Sequence, residues 1–334
     1  HIYCPEKDCP ASHVAAQSFF HDYTDKRRLK KFAQSVDAIS YEFENIPVET
    51  VEYLEKITPV YPDSRLLQIA QDRIAEKQFL NDIGVSTVKW RGAETAEELQ
   101  KNVNDLGCSE FILKTTRFGY DGKGQVSCRS DDNYLEKWDS LINSPIIIEH
   151  AIDFSCEISI IVARVKLGQT ITYGPSLNEH KNHILFKSTV PASIPKTLAA
   201  KAKDMAVLLA EAVDLIGVLA LEMFVTRDGK ILANEIAPRP HNSGHWTIDA
   251  CTVSQFEQHA RTVCGLPIAI PHHHSDAVMV NLICDDAHPR NLDPWMEIPG
   301  ACLHLYGKNE IKPGRKMGHV TILKPKDQKI LDAS

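Results

Sequence analysis

The chain has 334 residues, 43% of them hydrophobic, and a formal charge of −7. That length buries substantial cores and points to two or three subdomains rather than one, while the acidic balance argues against a broad nucleic-acid surface and leaves room for a local basic pocket around a small anion. No run reaches the roughly 18 apolar residues of a membrane span, and the nine cysteines are scattered, odd in number and free of any C-x-x-C pair, so neither a disulfide framework nor a zinc site is indicated. The expectation is a soluble cytoplasmic protein with neither nucleic acid nor membrane as partner.

The chain opens on His1-Ile-Tyr-Cys-Pro, which reads as the middle of a strand. The first strand and glycine-rich turn of a nucleotide-type α/β domain are expected upstream of His1, which makes the first domain a truncated one. Up to about residue 60 the pattern predicts a strand at 1–3, a helix over 26–35, a strand over 38–43 and a Pro47-started helix to 56, a βαβ rhythm that implies a parallel sheet. One long helix is expected over 64–82, capped by Asp63 or Ser64 and ended by Gly84, then a strand near 85–90 and a helix near 96–105. Strands are predicted at 111–115, 125–128, 146–149 and 156–162, with a helix over 131–141 among them. A helix over 195–216, two strands to Pro240, a helix over 254–264 and a strand-rich tail after 267–274 complete the pass. His272, His273 and His274 are adjacent in an extended loop and cannot converge on one ion, so a solvated loop is expected there.

The stretch Phe118-Gly-Tyr-Asp-Gly-Lys-Gly-Gln125 has the composition of a phosphate cradle but not the context of a P-loop. Gly124 follows Gly122-Lys123 where a P-loop has Ser or Thr, and the run behind it is β-type rather than helical. Asp121-Gly122 is a hairpin signal, so the loop joins two strands. It is either a flap of bare amides and one ammonium that folds over a triphosphate or a glycine-rich hairpin that binds nothing.

A second constellation runs from Gly217 to Glu235. Asp228-Gly229 reads as a two-residue turn pairing Arg227 with Lys230 and, counting outward, Glu222 with Glu235. Two carboxylates on one face repel unless a cation lies between them or water screens them, and Mg²⁺ takes such ligands together with phosphate oxygens. A glycine flap on one strand pair and a carboxylate pair on another suit a nucleotide site of the ATP-grasp kind.

Tyr41-Glu-Phe-Glu-Asn-Ile-Pro47, Gln71-Asp-Arg-Ile-Ala-Glu-Lys77, Gly119-Tyr-Asp-Gly-Lys-Gly-Gln125, the run from Asn234 to His245 and Arg315-Lys-Met-Gly-His319 resemble the N5-carboxyaminoimidazole ribonucleotide synthetase family, over almost the whole chain. The resemblance implies an α/β and α+β architecture: a parallel α/β domain over 1–62, an ATP-grasp domain over 63–266 whose flap part spans about 85–150 and whose magnesium lobe spans about 151–266, and a small β-rich C-terminal domain over 267–334. It implies that 5-aminoimidazole ribonucleotide, bicarbonate and ATP become N5-carboxyaminoimidazole ribonucleotide, ADP and phosphate through carboxyphosphate, in purine biosynthesis. Closing the flap would shield that short-lived intermediate from water.

Carried over by position, the resemblance gives Arg73, Lys114 and the flap residues Gly119, Tyr120, Asp121, Gly122, Lys123, Gly124 and Gln125 to ATP. To the same ligand it gives Glu149, His150, Ala151 and Ile152 at the adenine, Glu157 and His180 at the ribose, and Asn234 and Glu235. Glu222 and Glu235 would hold Mg²⁺, with Mn²⁺ as a substitute. Tyr120, Asp121, His241, Asn242, Ser243, Lys308, Arg315 and Lys316 would meet the ribonucleotide, joined by Glu44 and Asn45, which follow the strand expected over 38–43 at the carboxyl end where an α/β sheet presents ligand groups; Tyr120, Asp121 and Arg239 are the catalytic candidates. A homodimer is implied, with the product passing to a separate mutase. Ala237, two residues beyond Glu235, stands where many ATP-grasp enzymes have asparagine, which agrees with this family. The rival readings are another ATP-grasp ligase, such as a formate-dependent glycinamide ribonucleotide transformylase, and a non-catalytic nucleotide-binding protein.

Overall fold

The computed structural model describes residues 1–117, 119, 124–141, 145–308 and 310–326. At the N-terminus β1 (Ile2–Tyr3) runs parallel to β2 (Ser18–Phe19), followed by α1 (Lys26–Ala33) and α2 (Val48–Glu55). The Asp25 carboxylate accepts from Arg28 N at the start of α1, whose Leu29, Phe32 and Ala33 pack with Tyr3, Ile39 and Val51. The strand expected over 38–43 shrinks to one parallel bridge between Ile39 and Val60. The chain leaves the core there, with Glu42 exposed and Phe43 52% exposed.

The single helix expected over 64–82 is two helices, α3 (Ser64–Ala70) and α4 (Arg73–Asp82). Asp72 separates them. Its backbone is extended and its carboxylate accepts from Ile74 N and Ala75 N at 3.0 and 3.1 Å, taking up orphan amides of a new helix start. Asp63 does the same for α3 by accepting from Leu66 N.

A four-stranded antiparallel sheet follows, built from β3 (Trp90–Ala93), β4 (Glu110–Thr115), β5 (Gln125–Arg129) and β6 (Ile146–His150) in the order β3-β6-β4-β5. α5 (Ala96–Leu106) and α6 (Tyr134–Asp139) pack Leu99, Val103 and Trp138 against it. The glycine loop does connect antiparallel strands, β4 and β5. α6 is shorter than the helix expected over 131–141, because Asp132 turns back to accept from Arg129 N and pair with Lys137 instead of entering a helix.

The second sheet has eight strands. Its elements are β7 (Phe154–Arg164), β8 (Thr170–Lys181), β9 (Ile184–Val190), α7 (Lys196–Ala212), β10 (Gly217–Thr226), β11 (Ile231–Ala237), α8 (Thr247–Ala250), α9 (Gln255–Val263), β12 (Ser275–Ile283), α10 (Asp293–Met296), β13 (Ala301–Leu305) and β14 (Lys316–Pro325). The strand order is β11-β10-β7-β8-β9-β12-β14-β13, so the tail strands extend the same sheet through the pairing of β12 with β9. Side chains alternate across it: Ile158, Ile160, Leu219 and Leu221 pack with α7, while Ile161, Ala163, Val218 and Ala220 pack with Trp246 and Ala250. The strand expected at 85–90 begins only at Trp90, because Ser86 and Thr87 are drawn to β11, where Ser86 O accepts from Ala233 N. Among the described residues no helix is long and apolar enough to cross a membrane.

Candidate active site

Glu222 on β10 lies directly opposite Glu235 on β11, but not by way of the expected two-residue turn. Thr226 N donates to Lys230 O, so Arg227, Asp228 and Gly229 form a three-residue loop, with Gly229 at φ +76°. That loop sets Met223 opposite Ala233; Asn234 is then an extra residue on β11, and the bulge it forms restores Glu222 to Glu235. The bulge also decides which way Glu235 faces. Ile231 and Ala233 belong to the α7 core, and strict alternation would send Glu235 there too. The extra residue gives that apolar place to Ile236 and turns Glu235 to the face of Glu222, Ala220 and Ala237.

Glu222 is 8% exposed, and burial, then the charge of Glu235, pushes its carboxyl up to about 8. His241 Nε2 is 3.5 Å from its Oε1. Burial and the cations Arg239 and Lys316 lower the His241 pKa far below the usual imidazole value, so the ring is neutral at neutral pH. A chain of hydrogen bonds fixes its orientation. Ser188 Oγ donates to Asn178 Oδ1 (2.8 Å), Asn178 Nδ2 to Ser159 Oγ (3.0 Å), and Ser159 Oγ to Ser243 Oγ (2.7 Å). Ser243 Oγ then lies 2.9 Å from His241 Nδ1, which also accepts from Ser243 N, leaving the Nε2 proton to face Glu222.

The cations assigned to ATP converge on α4 and the flap sheet. Arg73 Nη2 donates to Gly119 O at 2.9 Å, and Nη1 stands 3.7 Å from Glu235. Lys114 pairs with Glu149 at 2.5 Å, and Lys77 reaches the same carboxylate at 3.2 Å. Burial alone would raise the Glu149 pKa, but these two ammonium groups outweigh it and hold it at about 2. The Lys114 side chain is therefore a buried, ion-paired group. The amides of His150 and Ala151 donate to Lys89 O and Glu110 O within the sheet. Glu157 lies 3.2 Å from His180, whose pKa rises because this carboxylate outweighs burial.

Arg239 makes two bonds of 2.9 Å to Glu44, with Asn45 half-buried next to Glu44, and the Glu235 charge acts on Arg239. Asn242 and Asn281 exchange side-chain amide bonds of 2.9 and 2.6 Å. Lys308 Nζ donates to Lys316 O at 2.8 Å, and the Lys316 charge acts on Glu222 and His241. Arg315 Nη1 donates to Glu310 O at 3.0 Å, and its charge acts on Lys308. In the flap, Gly124 has φ +71°, a would-be Cβ there falls 2.7 Å from Thr115 Oγ1, and Gln125 Nε2 is 3.5 Å from His183 Nδ1. Tyr120, Asp121, Gly122 and Lys123 lie outside the described residues.

Of the three adjacent histidines, His272 is exposed, while His273 packs on Trp246 with ring centroids 5.1 Å apart, so the loop is only partly solvated. Asp249, His304 and His319 bring donor atoms within 4.8 Å of one another. The two imidazoles are stacked, 4.5 Å apart and 13° from parallel, so their in-plane lone pairs run side by side rather than meeting at one ion. His304 Nε2 bonds Asp249 at 2.9 Å and His319 Nδ1 bonds the Tyr306 hydroxyl at 2.8 Å.

The model of the ATP-grasp domain matches residues 78–256; those of the ribonucleotide synthetase preATP-grasp domain and the phosphoribosylaminoimidazole carboxylase C-terminal domain match 1–71 and 277–333. The N5-carboxyaminoimidazole ribonucleotide synthase of Brucella melitensis biotype 1 is 45% identical over 324 residues, covering 96% of this chain and 89% of that protein. The chain belongs to the N5-carboxyaminoimidazole ribonucleotide synthase family. A solved ADP complex of purK, an N5-carboxyaminoimidazole ribonucleotide synthetase, superposes with TM-score 0.91 at 40% identity, over 96% of this chain and 85% of that one. The N5-carboxyaminoimidazole synthase of Aspergillus clavatus, solved with ADP and 5-aminoimidazole ribonucleotide, gives 0.88 at 27%, over 97% and 86%. The ATP-grasp architecture expected from the motifs is the one this N5-carboxyaminoimidazole ribonucleotide synthase family shares.

Several residues around the carboxylate pair were not singled out by sequence reasoning. Lys77 and Glu76 fall inside the Gln71 to Lys77 motif, and the four-residue spacing of Arg73 and Lys77 on one helix face was a usable signal. Ser159, Asn178, Ser188 and Asn281 had none, because their partners lie on other strands or in the turn at 242–244, and nothing in their own strands separates them from ordinary polar strand residues.

Proposed function

We propose that the chain carboxylates the amine of 5-aminoimidazole ribonucleotide, using ATP and bicarbonate, and releases N5-carboxyaminoimidazole ribonucleotide, ADP and phosphate in purine biosynthesis. The observation that carries this reading is the Glu222 and Glu235 pair, with Arg73 3.7 Å from Glu235, His241 3.5 Å from Glu222, and the charges of Lys316 and Arg239 acting on the same two carboxylates. The donor set fits a hard divalent cation, since two opposed carboxylates, one pushed up to about 8 by burial and by its neighbour, are relieved by a positive ion between them. Glu222 and Glu235 would hold Mg²⁺, or Mn²⁺ in its place, and the ion supplies charge neutralisation at the phosphate oxygens.

In this reading a bicarbonate oxygen attacks the γ-phosphorus and ADP leaves. The substrate amine then takes the carboxyl carbon as phosphate departs and the amine loses a proton. Arg73 and Lys114 offset phosphate charge, Glu157 meets the ribose hydroxyls with His180 behind it, and Lys308 and Lys316 take the ribonucleotide phosphate. Arg239, oriented by Glu44, and neutral His241 line the carboxylation side. We further propose the domain limits 1–62, 63–266 and 267–334, a cytoplasmic homodimer, testable by light scattering, and transfer of the product to a separate mutase.

The direct test is phosphate release from ATP, with bicarbonate present, with and without 5-aminoimidazole ribonucleotide. Release should depend on the ribonucleotide and fall by about 10²-fold or more in Glu235→Gln. Release indifferent to the ribonucleotide and to the substitution, or stimulated instead by formate with glycinamide ribonucleotide, overturns the assignment.

A further inference from the structure

The bulge that aims Glu235 is gripped from outside the sheet by two adjacent residues of α4. Lys77 Nζ donates to Asn234 O at 2.6 Å, and the Glu76 carboxylate accepts from Ile236 N at 2.6 Å. These bonds straddle Glu235, one residue to either side. A bulge leaves backbone groups without ladder partners, and buried ones must be satisfied by something else. Glu76 is 2% exposed and Lys77 1% exposed, a costly placement for ionisable side chains unless it answers such a demand.

We propose that Glu76 and Lys77 are positioning residues: they lock the Asn234 bulge, keep the Glu235 carboxylate on the Glu222 face, and so set the affinity for the divalent cation that accompanies the nucleotide. The three-residue loop alone would leave Glu222 opposite Asn234 and turn Glu235 toward the apolar α7 core. Two bonds from a helix that is itself anchored elsewhere hold the strand out of that arrangement. The anchors lie at the other end of the site, where Arg73 N donates to Thr116 O and the Arg73 guanidinium to Gly119 O. α4 thus ties the root of the glycine flap to the carboxylate strand, and Lys77 touches both sheets through Asn234 and Glu149.

The inference rests on the metal assignment proposed above, and its test reads binding rather than turnover. Calorimetry gives the affinity of the full chain for a non-hydrolysable ATP analogue with and without Mg²⁺, and the readout is the factor by which Mg²⁺ tightens it. Glu76→Gln keeps an oxygen that accepts from Ile236 N, and should hold that factor within about 3-fold of the parent, whereas Glu76→Met and Lys77→Met should cut it about 10-fold or more. A purely structural role would lower the melting temperature, or weaken the analogue equally in both conditions, and leave the factor unchanged; that result overturns the proposal. Should Lys77→Met fail to fold, Glu76→Met against Glu76→Gln decides alone, since methionine fills the glutamate volume without a buried carboxyl. A parent chain whose analogue affinity ignores Mg²⁺ also overturns it. Phosphate release that ignores the ribonucleotide while the Mg²⁺ factors behave as stated overturns the reaction and leaves the positioning role standing.

Discussion

Glu76 has a second consequence at the scale of a single residue, because burial, ahead of any neighbouring charge, pushes its carboxyl up to about 8. An acid that binds its proton more tightly when folded contributes stability that is complete below its unfolded pKa and is lost as pH rises through the folded one. The chain should therefore lose stability from about pH 5 to about pH 8, and Glu76→Gln, which keeps the bond to Ile236 N, should flatten that fall. Melting curves across the window check it: the parent should drop by about 3 °C or more relative to the variant, and parallel curves would refute the linkage. The same residue illustrates what could be read in advance. Glu222 and Glu235 were legible as a pair because both lie on one hairpin, where counting from a turn is enough. The count came out right through two departures that cancel, a longer loop and a bulge, and neither leaves a mark in the residue types. Glu76 and Ser159 act on partners 160 and 84 residues away, and no local pattern reports such distances.

Among the elements, α4 carries the most for its length of ten residues. Its start depends on Asp72, whose carboxylate takes two backbone amides and also meets Arg117 Nε at 3.2 Å. Asp72→Ala should cost about 1 kcal/mol through the lost cap. The helix start also holds Arg73, so the variant should weaken nucleotide binding as well; Asp72→Asn should retain most of both. Thermal melts and analogue titrations of the two variants check this, and equal losses would show that the Asp72 cap does not hold the helix start. Sequence periodicity ran α3 and α4 together because the apolar spacing continues across Gln71 and Asp72, and only the capping geometry tells a helix interior from a new start. The strands of the central sheet were easier to read. Their apolar runs are long, and β7, β10 and β11 bury side chains on both faces. The strand over 38–43 misled for the opposite reason: an alternating start, Ile39 and Tyr41, continues into a segment that leaves the core to deliver Glu44.

At the scale of the whole molecule, that departure is what joins the N-terminal segment to the carboxylate strand. Glu44 meets Arg239 across 195 positions of sequence, and Gln71 Nε2 secures the loop by donating to Glu44 O and Ile46 O at 2.8 and 2.6 Å. The Arg239 side chain is 19% exposed and that of Glu44 32%, so the pair is only partly screened by solvent. Removing either partner strands the other. Glu44→Gln and Arg239→Gln should each destabilise the fold, and the double variant should lose less than the sum of the two, by a coupling of about 1–3 kcal/mol. A surface ion pair would give a coupling near zero to about 1 kcal/mol that fades with salt, so a double-mutant cycle by chemical denaturation at two salt concentrations separates the cases. Kinetics add a second axis. With Arg239 proposed to line the carboxylation side, Glu44→Gln should raise KM for the ribonucleotide while leaving KM for ATP within about 3-fold, the pattern of lost uniform binding at one substrate. A rise in both would mean that the contact serves only to hold the segments together.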